Sequence, residues 1–171
     1  MQQQPTGWGP PPQAPNQQPP TWVPPIPGPA PGVNYASAGS RLVAYIVDGI
    51  VLFVVFIVLT IVLGVLAAGS GSDSAVGGAV LLYLLVVFII SIAYFPWFWA
   101  HGGATPGMKM LHIRVVREQD GGPVSGGSAV LRLIGYWINS IVFYIGFIWI
   151  LIDSHRQGWH DKIAGTVVIE G

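Results

Sequence analysis

The chain has 171 residues, with seven Lys and Arg against seven Asp and Glu, so its formal net charge is zero. Only 8% of the residues are charged and 52% are hydrophobic, against roughly 25% charged in an average soluble domain, and the mean hydropathy is +0.61. These figures argue against an ordinary soluble globule and against a nucleic-acid partner drawn by bulk charge. The lack of cysteine removes disulfides, thiolate metal sites and cysteine nucleophiles together.

Residues 1–38 open with "MQQQPTGWGPPPQAPNQQPPTWVPPIPGPAPG", which is Pro, Gln and Gly without a charged residue. Such a segment cannot bury enough apolar surface to offset its ordering entropy, which predicts a disordered tail with polyproline II character. It lacks the basic n-region and apolar h-region of a secretory signal peptide. It serves either as a solvated spacer or as a docking arm for a protein partner, with Trp8 and Trp22 as anchors.

Three apolar segments follow. Residues 42–66 and 79–99 are each long enough to cross a bilayer, and the second ends in "YFPWFW", a ring cluster suited to the headgroup level. Residues 133–152, "LIGYWINSIVFYIGFIWILI", are long enough to cross once but hold Asn139, Ser140 and two glycines. The loop after the first span has no basic residue, whereas Lys109, Arg114, Arg117 and Arg132 follow the second. The positive-inside rule then predicts a cytoplasmic N-terminus and a cytoplasmic 100–131 stretch.

"KMLHIRVVRE" alternates apolar and polar residues as a half-buried strand does, "DGG" at 120–122 signals a turn, and "TVVIEG" reads as a second short strand. Pairing 109–117 with 166–170 requires both on one side of the membrane. The third segment is therefore expected to dip in and return, breaking near Asn139–Ser140 or Gly146, with a plain third span as the alternative. The fold class expected is an all-α membrane protein. It has two firm transmembrane helices, a third embedded segment that is re-entrant or spanning, and a small cytoplasmic β element.

Asp48 is the only formal charge in residues 42–66. A carboxylate at mid-helix costs about 2.5–3.5 kcal/mol on insertion scales, so it needs a partner in the folded protein. Arg41 lies seven residues earlier, within about 20° of the same helix face and roughly 10 Å along the axis. Matching depths places Tyr94 of the second span nearby. "RLIGYWIN" at 132–139 repeats "RLVAYIVD" at 41–48, with Asn139 answering Asp48. The intramembrane polar layer expected is Arg41, Asp48, Tyr94, Arg132 and Asn139, capped by Arg41, Arg132 and His101. Intramembrane ionisable groups mark ion or proton paths, or else fix helix packing.

With Arg41, Asp48, "GGATPGMKMLHIRVVREQDGGPVS" and "GWHDKIAGTVVIEG", the chain resembles the RDD family of bacterial membrane proteins over residues 40–171. That family is named for one arginine and two aspartates. The resemblance places the arginine at Arg41, the first aspartate at Asp48 and the second at Asp161 in "HDKIAGT". It also aligns a Gly-x-Thr-x-Gly segment with 103–107. It implies a bacterial inner-membrane, multi-pass protein, and for function the transport of an unidentified ligand.

The remaining motifs point to structural roles. "GGATPG" supplies tight-turn glycines and a proline to stop the preceding helix, and it lacks the Gly-Lys-Ser/Thr ending of a phosphate loop. Asp161 is placed either to cap a short helix starting near Lys162 or to pair with a cytoplasmic arginine. His101, His112, His155 and His160 have no zinc spacing, so no metal or cofactor is expected. No nucleophile elbow, Rossmann or Walker fingerprint is present, so an enzyme is not expected. The function expected is a transport-type component using the Asp48–Arg41 pair, with Asp48 cycling between protonated and charged states. Three short segments cannot readily enclose a path, so beyond the lipid bilayer a homo-oligomer or membrane partner is expected. The alternative is a non-transporting scaffold or accessory subunit with the polar layer as packing glue.

Overall fold

The computed structural model describes residues 28–171; Trp8, Trp22 and the predictions made for residues 1–27 lie outside the described residues. Two long helices, α1 (Ala38–Gly69) and α2 (Asp73–Gly102), contain the first two apolar segments, and both are long and apolar enough to cross a membrane. Ser37 opens α1 by accepting from the Ser40 N–H at 3.0 Å, one of the four amides a helix start leaves without an internal partner. Pro96 lies inside α2 without ending it.

What stops α2 is Gly103, not Pro106. Gly103 adopts a left-handed φ of 69° and returns its N–H to Trp99 O, a conformation that costs glycine nothing. Pro106 instead opens α3 (Pro106–Met110), where the missing N–H is one the first turn could not use anyway. Lys109 and Met110, expected in a strand, therefore end α3, and strand β1 is shorter (Ile113–Arg117). It pairs antiparallel with β2 (Thr166–Glu170), Val115 opposite Val168, as the alternation predicted.

A third strip lies along β2. Tyr35 bridges Ile169, Ala36 donates to Val168 O at 2.9 Å, and Asn34 O accepts from Glu170. Tyr35 and Ala36 are buried, so this strip packs with the ribbon. Period two then splits the ribbon. Val115, Val168 and Ala36 face a core with Ala44, Trp99, Met108 and Ala129, while Tyr35, Val116, Val167 and Ile169 form a second cluster on the other side.

Helix α4 (Gly126–Ile141) starts seven residues before the third apolar segment, capped by Ser125. It ends where Phe143 and Tyr144 take positive φ. Past that break the chain turns 112° into α5 (Ile145–Ile148) and a 3₁₀ turn (Trp149–Leu151). The break falls between the two sites predicted for it, and the segment is a bent pair, not a straight helix. Helix α6 (Trp159–Ala164) packs on α4 and, through Gly165 at φ 61°, leads into β2.

The helices are polar inside and apolar outside. The buried residues of α1 include Arg41 and Asp48, and those of α4 include Arg132 and Asn139, whereas Leu42, Ile46, Phe53, Leu131, Trp137 and Ile141 are exposed. In water this arrangement would waste the hydrophobic effect; in lipid it removes polar groups from hydrocarbon.

Close backbone approach fixes where α3 sits. A Cβ on Gly107 would press into the Ala44 carbonyl and come within 3.0 Å of the Asp48 carboxyl carbon. Gly107→Ala should therefore cost about 1–3 kcal/mol by overpacking and lower the melting temperature in detergent. Gly49→Ala, with nothing within 4 Å of the added carbon, should leave it unchanged or raise it.

Candidate functional site

Asp161 lies at the third position of α6. From there its Oδ2 accepts from the Gly158 N–H at 2.9 Å, so the carboxylate caps the helix it belongs to. The helix starts at Trp159, earlier than the expected Lys162. The same Oδ2 accepts from Arg41 Nη1 at 2.9 Å, while Oδ1 accepts from Arg132 Nη1. Arg132 also donates to Thr166 Oγ1 at 2.7 Å and Arg41 to Val168 O at 3.3 Å. Asp161 thus performs both of its anticipated roles, and it binds two arginines.

His160 completes this cluster. Its Nε2 lies 3.3 Å from Asp161 Oδ2 and its Nδ1 lies 3.0 Å from Asn139 Nδ2. An amide nitrogen can only donate, so Nδ1 accepts and Nε2 carries the proton toward Asp161. Burial pushes the His160 ring below its ordinary 6.5 despite the pull of Asp161, in keeping with that neutral form. Burial opposes ionisation of Asp161 too, but Arg132 first, with His160 and Arg41, outweighs it and holds the carboxyl well below its ordinary 3.8. Two guanidiniums therefore share one carboxylate, leaving one positive charge in excess.

Asp48 belongs to a separate cluster. Tyr94 Oη donates to Oδ1 at 3.0 Å, Thr105 Oγ1 to Oδ2 at 2.5 Å, and the Gly107 N–H to Oδ1 at 2.8 Å. Thr105 also accepts from Met108 N at 3.2 Å, capping α3. The carboxylate bolts α1 to α2 and α3.

The anticipated single layer is therefore two. Arg41 does not pair with Asp48; sharing a helix face, the two reach different neighbours, because α3 covers Asp48 while α6 and β2 cover Arg41. Asn139 goes to His160 instead of Asp48. His101 is exposed and stacks on Trp97 at 3.8 Å, outside both clusters. Thr105, Gly107, His160 and Thr166 were not anticipated as partners. For the first two a signal existed: a Thr-Pro helix start in "GGATPG" puts a hydroxyl and free amides at one point.

Between the clusters lies a chamber of about 550 Å³. Its wall includes Arg41 and Arg132 at one end, Asp48 and Thr105 at another, and the rings of Tyr45, Phe95, Tyr136 and Phe147. Tyr45 stacks on Phe95 at 6.1 Å and on Tyr136 at 6.3 Å, and the Arg132 guanidinium lies 4.9 Å from the Trp99 ring centre. Among the described residues no three His, Asp or Glu side chains converge to hold a metal ion.

Asp161→Asn should leave two buried guanidiniums without a counter-charge and cost about 3–5 kcal/mol, read as loss of folded protein after extraction. Asp120→Asn, at an exposed pair with Arg117, should cost under about 0.5 kcal/mol. Melting against pH should show two declines on acidification. His160 is depressed below its ordinary 6.5, so stability falls as pH drops below about 6.5 and the unfolded ring takes up its proton first. Asp161's contribution is complete above about pH 4 and lost as pH falls through its lowered value. His160→Gln should abolish the upper decline.

The RDD family model matches residues 35–165, which include both clusters except Thr166 and Val168. The uncharacterized protein YxaI of Bacillus subtilis (strain 168) is 34% identical over 142 residues, covering 75% of this chain and 93% of that protein. The proline-rich antigen homolog of Mycobacterium tuberculosis (strain ATCC 25618 / H37Rv) is 33% identical over 92 residues, 50% of this chain and 38% of that protein. The uncharacterized protein RP437 of Rickettsia prowazekii (strain Madrid E) is 32% identical over 94 residues, 53% of this chain and 52% of that protein. No solved structure matches. The chain belongs to the RDD family.

Proposed function

We propose that this chain is a transport-type component of the bacterial inner membrane, and that the chamber between α1, α2, α4 and α5 is where it holds its ligand. The observation that carries this reading is the chamber itself: about 550 Å³, within the range of small-molecule sites, with a few polar groups in an apolar wall. The two clusters keep its shape. Asp48, which accepts from Tyr94 of α2 and from Thr105 and Gly107 at the start of α3, acts as a bolt between helices. The N-terminus is cytoplasmic by the distribution of Lys and Arg. The apolar faces of α1 and α2 are exposed along their length, which favours a homo-oligomer or a membrane partner to complete a path.

One observation favours a second reading. Both buried aspartates are saturated by donors from other elements, as packing glue requires, so a non-transporting scaffold or accessory subunit would need nothing more.

The chain's lack of cysteine makes the test direct. Ile150→Cys places one thiol on the chamber wall, away from the outer surface, Ile61→Cys one on the exposed middle of α1, and Ser72→Cys one in the loop after it. A charged, membrane-impermeant thiol reagent should label Ile150→Cys and Ser72→Cys but not Ile61→Cys. Labelling of Ser72→Cys alone would sink the ligand-chamber reading and leave the scaffold.

A further inference from the structure

We propose that the chamber takes one acyl chain of a bilayer lipid, which enters sideways through a lip between α1 and the bent segment after α4. This rests on reading the chamber as a ligand site in a membrane-spanning chain, and it names the class of occupant. The first observation is how little polarity the wall presents. Its charged side chains are satisfied within the protein: Asp48 accepts from Tyr94, Thr105 and Gly107, and Arg41 and Arg132 donate to Asp161. The unpaired donors of the wall, Arg41 Nε, Arg132 Nε and Trp99 Nε1, are closed off from the chamber. An occupant meets the rings of Phe95, Tyr136 and Phe147 together with Leu42, Ile148 and Leu151. Such a wall gives water few partners and suits hydrocarbon.

The second observation is where the chamber opens. Leu42, Ile148 and Leu151 line it and are also 59–61% exposed, so they form its lip. The lip is continuous with bare apolar surface on both sides, Ile46 one turn along α1 and Ile145 and Ile152 around the bent segment. In a membrane, hydrocarbon lies against that mouth, and a chain can pass it without crossing water.

Shape selects a slender occupant. Leu42 stands in the second turn of α1 and Asp48 six residues further, so the wall reaches roughly 9 Å along the helix. A neighbouring protein helix is about 10–12 Å across, and a chamber of about 550 Å³ would be filled by little more than one turn of it. A single acyl chain uses the depth instead. It also restores the packing contacts that side chains lose when they face a void.

The test uses the full chain in vesicles of phosphatidylethanolamine and phosphatidylglycerol, with a trace of phosphatidylethanolamine carrying a photoreactive diazirine on one acyl chain. After illumination, adducts are expected on Phe95, Tyr136 and Phe147 as well as on the outward-facing Phe53 and Ile61. Leu42→Trp and Leu151→Trp each enlarge one side of the lip at an exposed position, where the fold tolerates the change. Each should remove most of the ring adducts and leave those on Phe53 and Ile61 unchanged, whereas Leu42→Ala should keep both. Chains exchange, so the charged thiol reagent still reaches Ile150→Cys while the chamber is vacant. Adducts on Phe53 and Ile61 alone, or ring adducts that both tryptophan variants leave intact, would overturn the proposal. Disulfide-linked dimers of Leu42→Cys in place of ring adducts would also overturn it and assign the lip to a second copy. Ring adducts absent while Ile150→Cys is labelled would reject the acyl chain and keep the chamber as a ligand site.

Discussion

The contact on which the rest of the molecule depends is the Asp161 carboxylate held between Arg41 and Arg132. It ties the start of α1 to the middle of α4 and to the first turn of α6. Because α6 leads directly into β2, the same contact sets where the two-stranded ribbon lies against the helices. A buried ion pair is weak evidence of net stability, since desolvation takes back much of the Coulombic gain. Here its value is positional. Three elements are registered by this one group.

Lipid explains the pattern around that contact. When the solvent is hydrocarbon, apolar packing offers little to hold helices together, and close approach of small residues and buried polar bonds take over. Gly107 lets α3 sit against the backbone of α1, and Gly135 does the same for α6 against α4, where a Cβ would come within 2.8 Å of His160 Cβ. The two aspartates then fasten what the glycines bring close. With fastenings at both ends and a bent segment on one side, the space between is propped open instead of collapsing.

How much of this was legible follows from the range of each interaction. The spans and the β1–β2 pairing were readable because apolar length and period-two alternation are local properties. The bend in 133–152 was readable because a β pairing across it argued against one straight helix. Tyr94 was placed beside Asp48 by counting depth along two spans. The partners of Arg41 were not readable, since Asp161 lies 120 residues away and helix periodicity says which face a residue occupies without saying what covers it. The match of "RLIGYWIN" to "RLVAYIVD" signalled two inward arginines, yet Arg132 lies in the middle of α4 and not at a helix start, and Asn139 was misdirected. Asp48 is covered by α3, whereas Asn139 meets α6.

The separation of Arg41 from Asp161 also imposes an order on how the protein is made. Translation at about 5–20 residues per second places roughly 6 to 24 s between the emergence of the arginine and that of its carboxylate. Through that interval α1 and α2, both long and apolar enough to cross a membrane, are complete while Arg41 still lacks its carboxylate. The Arg41–Asp161 contact can therefore close only after α4 and α6 have emerged, so docking of α6 and β2 onto α1 comes late in synthesis.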